Sequence, residues 1–294
     1  MSSSHKNEEL SVTVYSPESP LRNPMKLICD IFSDIWRTRE LIGMLFMRDL
    51  KAAYRQTYLG YIWILLPAIA TTAVWYYMTS QGLIKVGKTP IPYPAFVMIG
   101  QIIWGTFISA FGAPQLGFNG GSAVFMKLKV PPEAFIANAF AKIVFDLLVK
   151  TLLITAIFTI FWGQLTISWT ILLVPVGLMT TMLFGVSLGL FMVPVGSLYT
   201  DVGRAATMML PFLMYTTPVI FPLADGDGLA ATLMRWNPLS PLIEVTRCWL
   251  TQGAADPGQV LGLLILIPIS LAIGIIGLVL LRIAMPHLVV RMGM

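Results

Sequence analysis

Apolar residues run along this chain in long blocks, and short polar stretches separate the blocks. A helix that crosses the hydrocarbon core of a bilayer needs about 20 mostly apolar residues. Six blocks come close to that length, so the pattern predicts an all-α, polytopic membrane protein with six transmembrane helices. The predicted spans are Tyr61–Gly82, Pro94–Leu116, Phe135–Trp162, Trp169–Val195, Ala205–Pro222 and Val260–Ile283.

The stretch before the first span has a helical period, with charged residues on one side and apolar residues on the other. The charged face holds Arg37, Glu40, Arg48, Lys51 and Arg55, and the apolar face holds Ile35, Trp36, Ile42, Phe46, Met47, Leu50, Ala53 and Tyr54. A helix divided in this way lies in the membrane interface. We therefore predict an amphipathic interface helix within residues 30–58, after a polar cytosolic segment at residues 1–29. A surface helix of a soluble domain is the alternative, but an apolar block follows at once.

Basic residues between the spans predict the orientation. One side collects Arg37, Arg39, Arg48, Lys51, Arg55, Lys127, Lys129, Arg204, Arg282 and Arg291, and the other collects Lys85, Lys88, Arg235 and Arg247 together with several acids. Cytosolic loops carry the excess of Lys and Arg. The first side is therefore expected to be cytosolic, and both termini with it.

Two connecting segments have unusual patterns. The segment at 119–133 is cytosolic by this topology and basic, with glycines at its start, Pro131-Pro132 near its end and a short helix-capable piece at Ser122–Lys129. The segment at 223–257 is external but rich in apolar residues, and no part of it is long enough to span. We expect two short re-entrant helices there, broken at Asn237-Pro238 and Ser240-Pro241, because irregular backbone at membrane depth must be covered by protein or line a wet cavity.

Composition supports a membrane protein and excludes several kinds of chemistry. The chain is 56% hydrophobic and 11% charged, whereas a soluble domain carries about 25% charged residues. Its net charge of +5 is spread along the chain, which indicates topology and anionic headgroups rather than nucleic acid. The two cysteines, Cys29 and Cys248, are far apart, and the two histidines, His5 and His287, lie near the termini. These positions disfavour metal clusters and His-based catalysis.

One literal match to a nucleotide motif is rejected. Residues Gly82–Thr89 fit the phosphate-loop pattern GxxxxGK[ST]. That loop works only between a buried strand and a helix whose N-terminus holds the phosphates. Here it follows a predicted membrane helix, and Pro90, Pro92 and Pro94 prevent a helix directly after it.

The third predicted span carries Lys142, Asp146 and Lys150 on one helical face. Charges inside a membrane are costly and usually face a bundle interior or a wet cavity. Two readings remain open: a structural ion pair with lysines that reach toward the interface, or a lining for an anionic substrate or gate.

Aromatic and small residues add weaker signals. Trp104, Trp162, Trp169, Trp236 and Trp249 lie near span ends, which is typical of interface anchors, although some aromatics could stack on sugar rings. Gly185 and Gly189 would allow close helix packing.

Several short runs along the chain occur in a characteristic order: Arg48-Asp49-Leu50-Lys51, Tyr54-Arg55-Gln56, Leu59-Gly60, Trp63, Pro67, Ser197–Asp201, Pro218–Pro222 and Asn237–Glu244. Together they resemble the membrane subunit of type-2 ABC exporters, especially the branch that exports O-antigen, capsule and teichoic acid polysaccharides. Their order and spacing carry the resemblance, which covers nearly all of the chain beyond residue 25.

The resemblance implies a permease homodimer around a shared channel in a bacterial inner membrane. Two copies of a separate ABC ATPase subunit would bind ATP and Mg²⁺. The substrate would be a polysaccharide on a polyprenyl diphosphate lipid, moved from the cytosolic to the outer side. The chain itself is expected to have no catalytic residue, metal or cofactor, and no nucleic-acid partner.

The resemblance also assigns roles to residues. Lipid headgroups would meet the interface helix at Arg48, Lys51, Tyr54 and Arg55. The coupling loop to the ATPase would include Ser122, Phe125, Lys127, Lys129, Pro131 and Glu133. The re-entrant outer gate would include Trp236, Asn237, Pro238, Glu244 and Arg247. Many relatives place an Arg between Pro and Glu after the coupling loop, but this chain reads Pro131-Pro132-Glu133, so that Arg's contact is not carried over.

Three other functions compete with polysaccharide export. A type-2 exporter of a drug or small lipid would have the same fold. A membrane enzyme acting on polyprenyl phosphates would need carboxylates or histidines at the membrane face, yet Asp146 is the single acid placed within a predicted span. A simple channel would leave the interface helix and the coupling loop without a role.

Overall fold

The computed structural model describes residues 33–55, 58–125, 132–223 and 228–292, and no strand occurs in these ranges. A helical turn at residues 33–37 precedes the first long helix. The α-helices are α1 (Arg39–Arg55), α2 (Ile62–Ser80), α3 (Tyr93–Phe125), α4 (Pro132–Ile160), α5 (Val174–Leu198), α6 (Thr200–Tyr215), α7 (Leu229–Trp236), α8 (Leu239–Thr251) and α9 (Pro257–Met292), with a 3₁₀ helix at Trp169–Leu173 before α5. The all-α fold class is confirmed.

Within the described ranges, 5 helical segments are long and apolar enough to cross a membrane. They are Ile62–Ser80, Tyr93–Gly121, Glu133–Ile160, Trp169–Leu198 and Pro257–Met285. These segments coincide with the predicted first four spans and the last one. The chain is therefore a multi-pass membrane protein.

The predicted fifth span, Ala205–Pro222, has a different form. Helix α6 has 16 residues, which rise about 24 Å against a hydrocarbon core of about 30 Å. Turns then occupy residues 216–220. The prediction of one full-length helix here is wrong, because Pro218 disfavours helical backbone at the residue before it and ends the helix.

Helices α3 and α5 form the centre of the bundle. In the most apolar 18-residue window of each span, 61% of the α3 residues are buried, against 11% in α2. The two central helices pack closely, since a Cβ on Gly185 would lie 2.7 Å from the Ala110 Cβ and 2.9 Å from the Phe107 carbonyl oxygen. Gly189 likewise faces the backbone of Phe111. The predicted packing role of these two glycines is confirmed.

The segment predicted as a loop at 119–133 is largely helical. Helix α3 continues through Gly120 and Gly121 to Phe125, and α4 begins at Pro132. Glycine inside a helix costs only about 1 kcal/mol relative to alanine, and proline is tolerated in the first helical turn. Ser122 therefore belongs to the end of α3. Lys127, Lys129 and Pro131 lie outside the described residues.

Two short helices, α7 and α8, occupy the segment after α6, as predicted. They are separated at Asn237-Pro238, but the predicted second break at Ser240-Pro241 is wrong, because both residues lie in the first turn of α8. The Asn237 amide donates to the Thr216 carbonyl oxygen at 3.1 Å, and its Oδ1 accepts from the Leu239 backbone N–H at 2.9 Å. Asn237 thus ties the start of α8 to the end of α6.

The segment that matches the phosphate-loop pattern is irregular. Helix α2 ends at Ser80, Gly82 has a φ of +69°, and α3 begins only at Tyr93. The strand, loop and helix that the motif requires do not surround it.

Candidate functional site

A cleft of about 280 Å³ lies between α1, α3 and α4. Its polar lining consists of Arg48, Asp49, Ser109, Asn138, Lys142 and Asp146. Three of these residues, Arg48, Lys142 and Asp146, were singled out from the sequence. The fold thus brings the predicted headgroup residue and the charged face of the third span into one place.

The carboxylate of Asp49 is the centre of this cleft's hydrogen bonds. One oxygen accepts from Arg48 Nε at 2.9 Å and from its NH2 at 2.8 Å. The other accepts from Asn138 Nδ2 at 3.0 Å and pairs with Lys142 Nζ at 2.6 Å. Partial burial raises the pKa of Asp49, but the hydrogen bonds from Lys142, Arg48 and Asn138 outweigh that effect and lower the pKa to about 2. Asp49 is therefore ionised at neutral pH.

The three charges of α4 do not form an ion pair with one another. Among the described residues, Lys142 pairs with Asp49 on α1, and no ion pair joins Asp146 to Lys142 or Lys150. Lys150 is 8% exposed and directs its Nζ toward α3, to within 3.4 Å of where a Gly105 Cβ would lie. The structure thus joins Lys142 to α1 and places Lys150 away from the cleft.

Helix α1 is held to the bundle by a few side chains. Leu45 is buried, and the Phe46 ring meets Phe145 edge to face at a centroid distance of 6.2 Å. Arg48 keeps 65% of its side chain exposed, and Lys51 and Arg55 are exposed. Tyr54 lies in α1, but its side chain is outside the described set. Of the predicted apolar face, Phe46 packs on α4, whereas Trp36 and Met47 are exposed.

A second charged cluster joins three separate parts of the chain. Arg282 of α9 donates from Nε to Glu133 Oε1 at 2.6 Å and from NH2 to Asp34 Oδ2 at 2.7 Å. Glu133, in the first turn of α4, is 2% exposed. The side chain predicted to contact an ATPase therefore faces Arg282, and it fixes the start of α4 to α9 and to the turn before α1.

The predicted outer-gate residues divide into a buried and an exposed group. Arg247 is fully buried: it lies 3.6 Å from the Phe96 ring centroid, donates to Glu244 at 3.0 Å and donates to the Pro218 carbonyl oxygen. Trp236 is 85% exposed. Arg247 thus connects α8, α3 and the turn after α6.

Two of the tryptophans predicted as membrane-interface anchors, Trp104 and Trp249, are buried inside the protein. That prediction is wrong for these two residues.

Comparison with known protein families identifies the family of this chain. The model of the ABC-2 type transporter family matches residues 40–248, which include α1 from Glu40 onward, the cleft residues and α8 up to Cys248. The chain belongs to the ABC-2 type transporter family. This matches the resemblance seen in the short runs along the sequence.

The similar proteins are named for O-antigen export and for polysialic acid transport. An O-antigen export system permease protein RfbA of Myxococcus xanthus is 22% identical over 71% of this chain and 80% of its own length. A polysialic acid transport protein KpsM of Escherichia coli is 24% identical over 74% of this chain and 83% of its own length. An RfbA permease of Klebsiella pneumoniae is 22% identical over 69% and 77%, respectively.

Sequence reasoning missed several partners that complete the ABC-2 permease's charged clusters. Asp49 was noted only as part of a run, and Asn138, Asp34 and Phe96 were not singled out. A signal for Asn138 was present, because it extends the row of Lys142, Asp146 and Lys150 by one step of four residues. No comparable signal linked Arg282 to Asp34, since 248 positions separate them.

Proposed function

We propose that this chain is the permease subunit of an ATP-driven exporter that moves a polyprenyl-diphosphate-linked polysaccharide from the cytosolic to the outer side of a bacterial inner membrane. The observation that carries the proposal is the similarity to O-antigen and polysialic acid permeases over 71% and 74% of the chain. Two copies of the chain form the channel, and two copies of a separate ATPase subunit bind ATP and Mg²⁺.

The placement of charge supports this function. The cleft lies between α1, α3 and α4 with the exposed Arg48 in its wall, and the Arg282 cluster joins Asp34, just before α1, to Glu133 in the first turn of α4. Cationic side chains at the cytosolic surface of a membrane attract phosphate headgroups. In this proposal Arg48, Lys51, Tyr54 and Arg55 meet the diphosphate as the lipid enters from the cytosolic leaflet.

The outer side of the proposed channel is built by α6, the turn after it, α7 and α8. Six passes with both termini in the cytosol require α6 and the following turn to complete one crossing. In the proposal α7 and α8 dip into the outer leaflet, and Trp236, Asn237, Pro238, Glu244 and Arg247 form the gate. Burial of α8 against α3 and α5 supports this, because broken helices at membrane depth need protein around them.

The ATPase would dock at the segment between α3 and α4. Lys127, Lys129 and Pro131 are the proposed contacts, with Ser122 and Phe125 at the end of α3. Glu133, in the first turn of α4, is held by Arg282. Motion of the docked segment would reach α1 and α9 through that contact.

A deletion strain tests the proposed function. It should lose the surface polysaccharide and accumulate lipid-linked polysaccharide inside the cell, and a plasmid copy of the gene should restore export. Loss of the polymer on both sides would instead indicate a synthetic enzyme and refute the proposal. No change on either side would favour the alternative, an ABC-2 exporter of a drug or small lipid, which has the same fold.

A further inference from the structure

The donors around Asp49 have the composition of an anion site. A guanidinium, an ammonium and an amide, from Arg48, Lys142 and Asn138, converge on one carboxylate at distances of 2.6 to 3.0 Å. Arginine and lysine bind carboxylates and phosphates through the same charge-assisted hydrogen bonds. The anion here is supplied by the protein itself, from the residue next to Arg48 on α1.

The site is accessible and has room for a larger anion. The cleft beside it measures about 280 Å³, and the side chains of Lys142 and Asp49 are 42% and 22% exposed. Because Asp49 is partly exposed, its carboxylate could turn toward water without being buried unpaired. A phosphate could then take its place among the same donors.

The charges of the surrounding residues favour such an exchange. Among the charged residues that line the cleft, Arg48 and Lys142 are cationic and Asp49 and Asp146 are anionic, so the lining is neutral while Asp49 stays in place. When the Asp49 carboxylate turns away, Arg48 and Lys142 face Asp146 alone, and the lining carries one net positive charge that attracts a phosphate. Asp146, one turn from Lys142, then remains as the acid nearest to that lysine on α4.

We propose that Arg48, Asn138 and Lys142 bind a phosphate-bearing lipid headgroup, and that the Asp49 carboxylate occupies this site until a headgroup displaces it. The proposal rests on the exporter function proposed above and adds to it the binding groups and an internal competitor. Release of Asp49 also removes its contacts with Asn138 and Lys142 of α4, so headgroup binding loosens the attachment of α1. The phosphate could come from the polyprenyl carrier of the substrate or from an ordinary anionic phospholipid.

Zero-length crosslinking of the full wild-type chain tests the exchange directly. A carbodiimide joins a carboxylate and an amine in contact, so Asp49 and Lys142 should crosslink in phosphatidylcholine nanodiscs, and mass spectrometry would detect the linked peptides. Polyprenyl diphosphate should lower the yield severalfold if the headgroup displaces Asp49. The same yield with polyprenyl diphosphate, phosphatidylglycerol and free inorganic pyrophosphate as with phosphatidylcholine alone would overturn the proposal.

Two variants that each remove one acid from α1 distinguish loss of a competitor at the site from a general change in the charge of the helix. Asp49→Asn removes the competing anion, and Glu40→Gln removes an exposed acid from the same helix outside the cleft. Capture of a photoreactive polyprenyl diphosphate should rise about tenfold in Asp49→Asn, the effect of one competing charge-assisted bond, and stay near wild type in Glu40→Gln. It should fall in Lys142→Gln. Equal gains in Asp49→Asn and Glu40→Gln, or weaker capture in Asp49→Asn, would refute an internal competitor.

The outcomes of the crosslinking experiment also distinguish this phosphate site from the proposed exporter function. Displacement by phosphatidylglycerol and not by the polyprenyl lipid would support the phosphate site and identify membrane phospholipid as its ligand. If the crosslinking yield does not change with any phosphate ligand, but the deletion strain accumulates lipid-linked polysaccharide, then displacement of Asp49 by a headgroup is refuted. The proposed exporter function would still stand.

Discussion

Arg282 Nε lies 2.6 Å from Glu133 Oε1, and this contact joins the last helix of the chain to the first turn of α4. The two residues are 149 positions apart in sequence. The same guanidinium also holds Asp34, so three segments meet at one side chain. Arg282 thus links the start of α4 to α9 and to the turn before α1.

The first prediction concerns the stability of this cluster. Arg282→Gln leaves the buried Glu133 carboxylate without its charged partner, so we expect a loss of about 3 kcal/mol in the free energy of unfolding. The double variant Arg282→Gln with Glu133→Gln should recover part of the loss, because no buried charge is then unpaired. Thermal unfolding of the purified protein in detergent measures both effects.

Arg235→Gln is the matched control for this prediction, because Arg235 is exposed on α7. Its free energy of unfolding should lie within about 0.5 kcal/mol of the wild-type value. A double variant less stable than Arg282→Gln alone would contradict the interpretation that unpaired charge causes the loss.

The second prediction uses Cys248 as a reporter of packing around Arg247. The thiol is buried beside Arg247. Arg247→Gln loses the contacts with Phe96, Glu244 and Pro218, so α8 should open more often and expose the thiol. In a Cys29→Ser background, the rate of maleimide labelling should rise on the order of tenfold, which corresponds to about 1.4 kcal/mol of local stability.

Arg235→Gln in the same background should label at the wild-type rate. Equal labelling of all three proteins would mean that Arg247 does not hold α8 in place.

The third prediction concerns the close packing of α3 and α5 at Gly185. Gly185→Ala places a methyl group 2.7 Å from the Ala110 Cβ, so we expect a loss of about 1–3 kcal/mol from overpacking. Gly112→Ala is the control, because a Cβ at Gly112 meets nothing within 4 Å. That variant should melt at or slightly above the wild-type temperature, since alanine favours helix. A Gly185→Ala protein as stable as Gly112→Ala would refute the tight contact.

The fourth prediction is the pH dependence of the Asp49 contacts. The pKa of Asp49 is lowered from 3.8 to about 2 in the folded protein, so its contribution to stability is complete above about pH 4 and is lost as the pH falls toward 2. Asp49→Asn should therefore be less stable than wild type by about 1 kcal/mol at pH 5 to 7, and the difference should shrink below pH 4.

Melting temperatures of the two proteins from pH 7 down to pH 3 test this. Glu40→Gln, which alters an exposed acid of α1, should differ little from wild type over the same range. If the stability difference between wild type and Asp49→Asn grows as the pH falls, the pKa of Asp49 is not lowered in the folded protein.

The sequence by itself determined the helical class, four spans in order, the last span and the short helices α7 and α8. These features follow from local patterns: the length of an apolar block against the thickness of a bilayer, and prolines that interrupt helices. It also determined the family, because the order of several short runs is a property of the sequence alone. The same local reasoning failed at Ala205–Pro222, where apolar composition continued past the helix end that Pro218 imposes.

The tertiary structure decided which charges meet. Lys142, Asp146 and Lys150 share a helical face, and the sequence suggested an ion pair among them, yet Lys142 pairs with Asp49 of α1 and Lys150 faces α3. Likewise Glu133 turns inward to Arg282. A charge pairs with whichever opposite charge the packing of helices brings within reach, and that distance depends on contacts between segments far apart in the chain. Helical periodicity fixes a residue's face, but only the packed bundle fixes what that face meets.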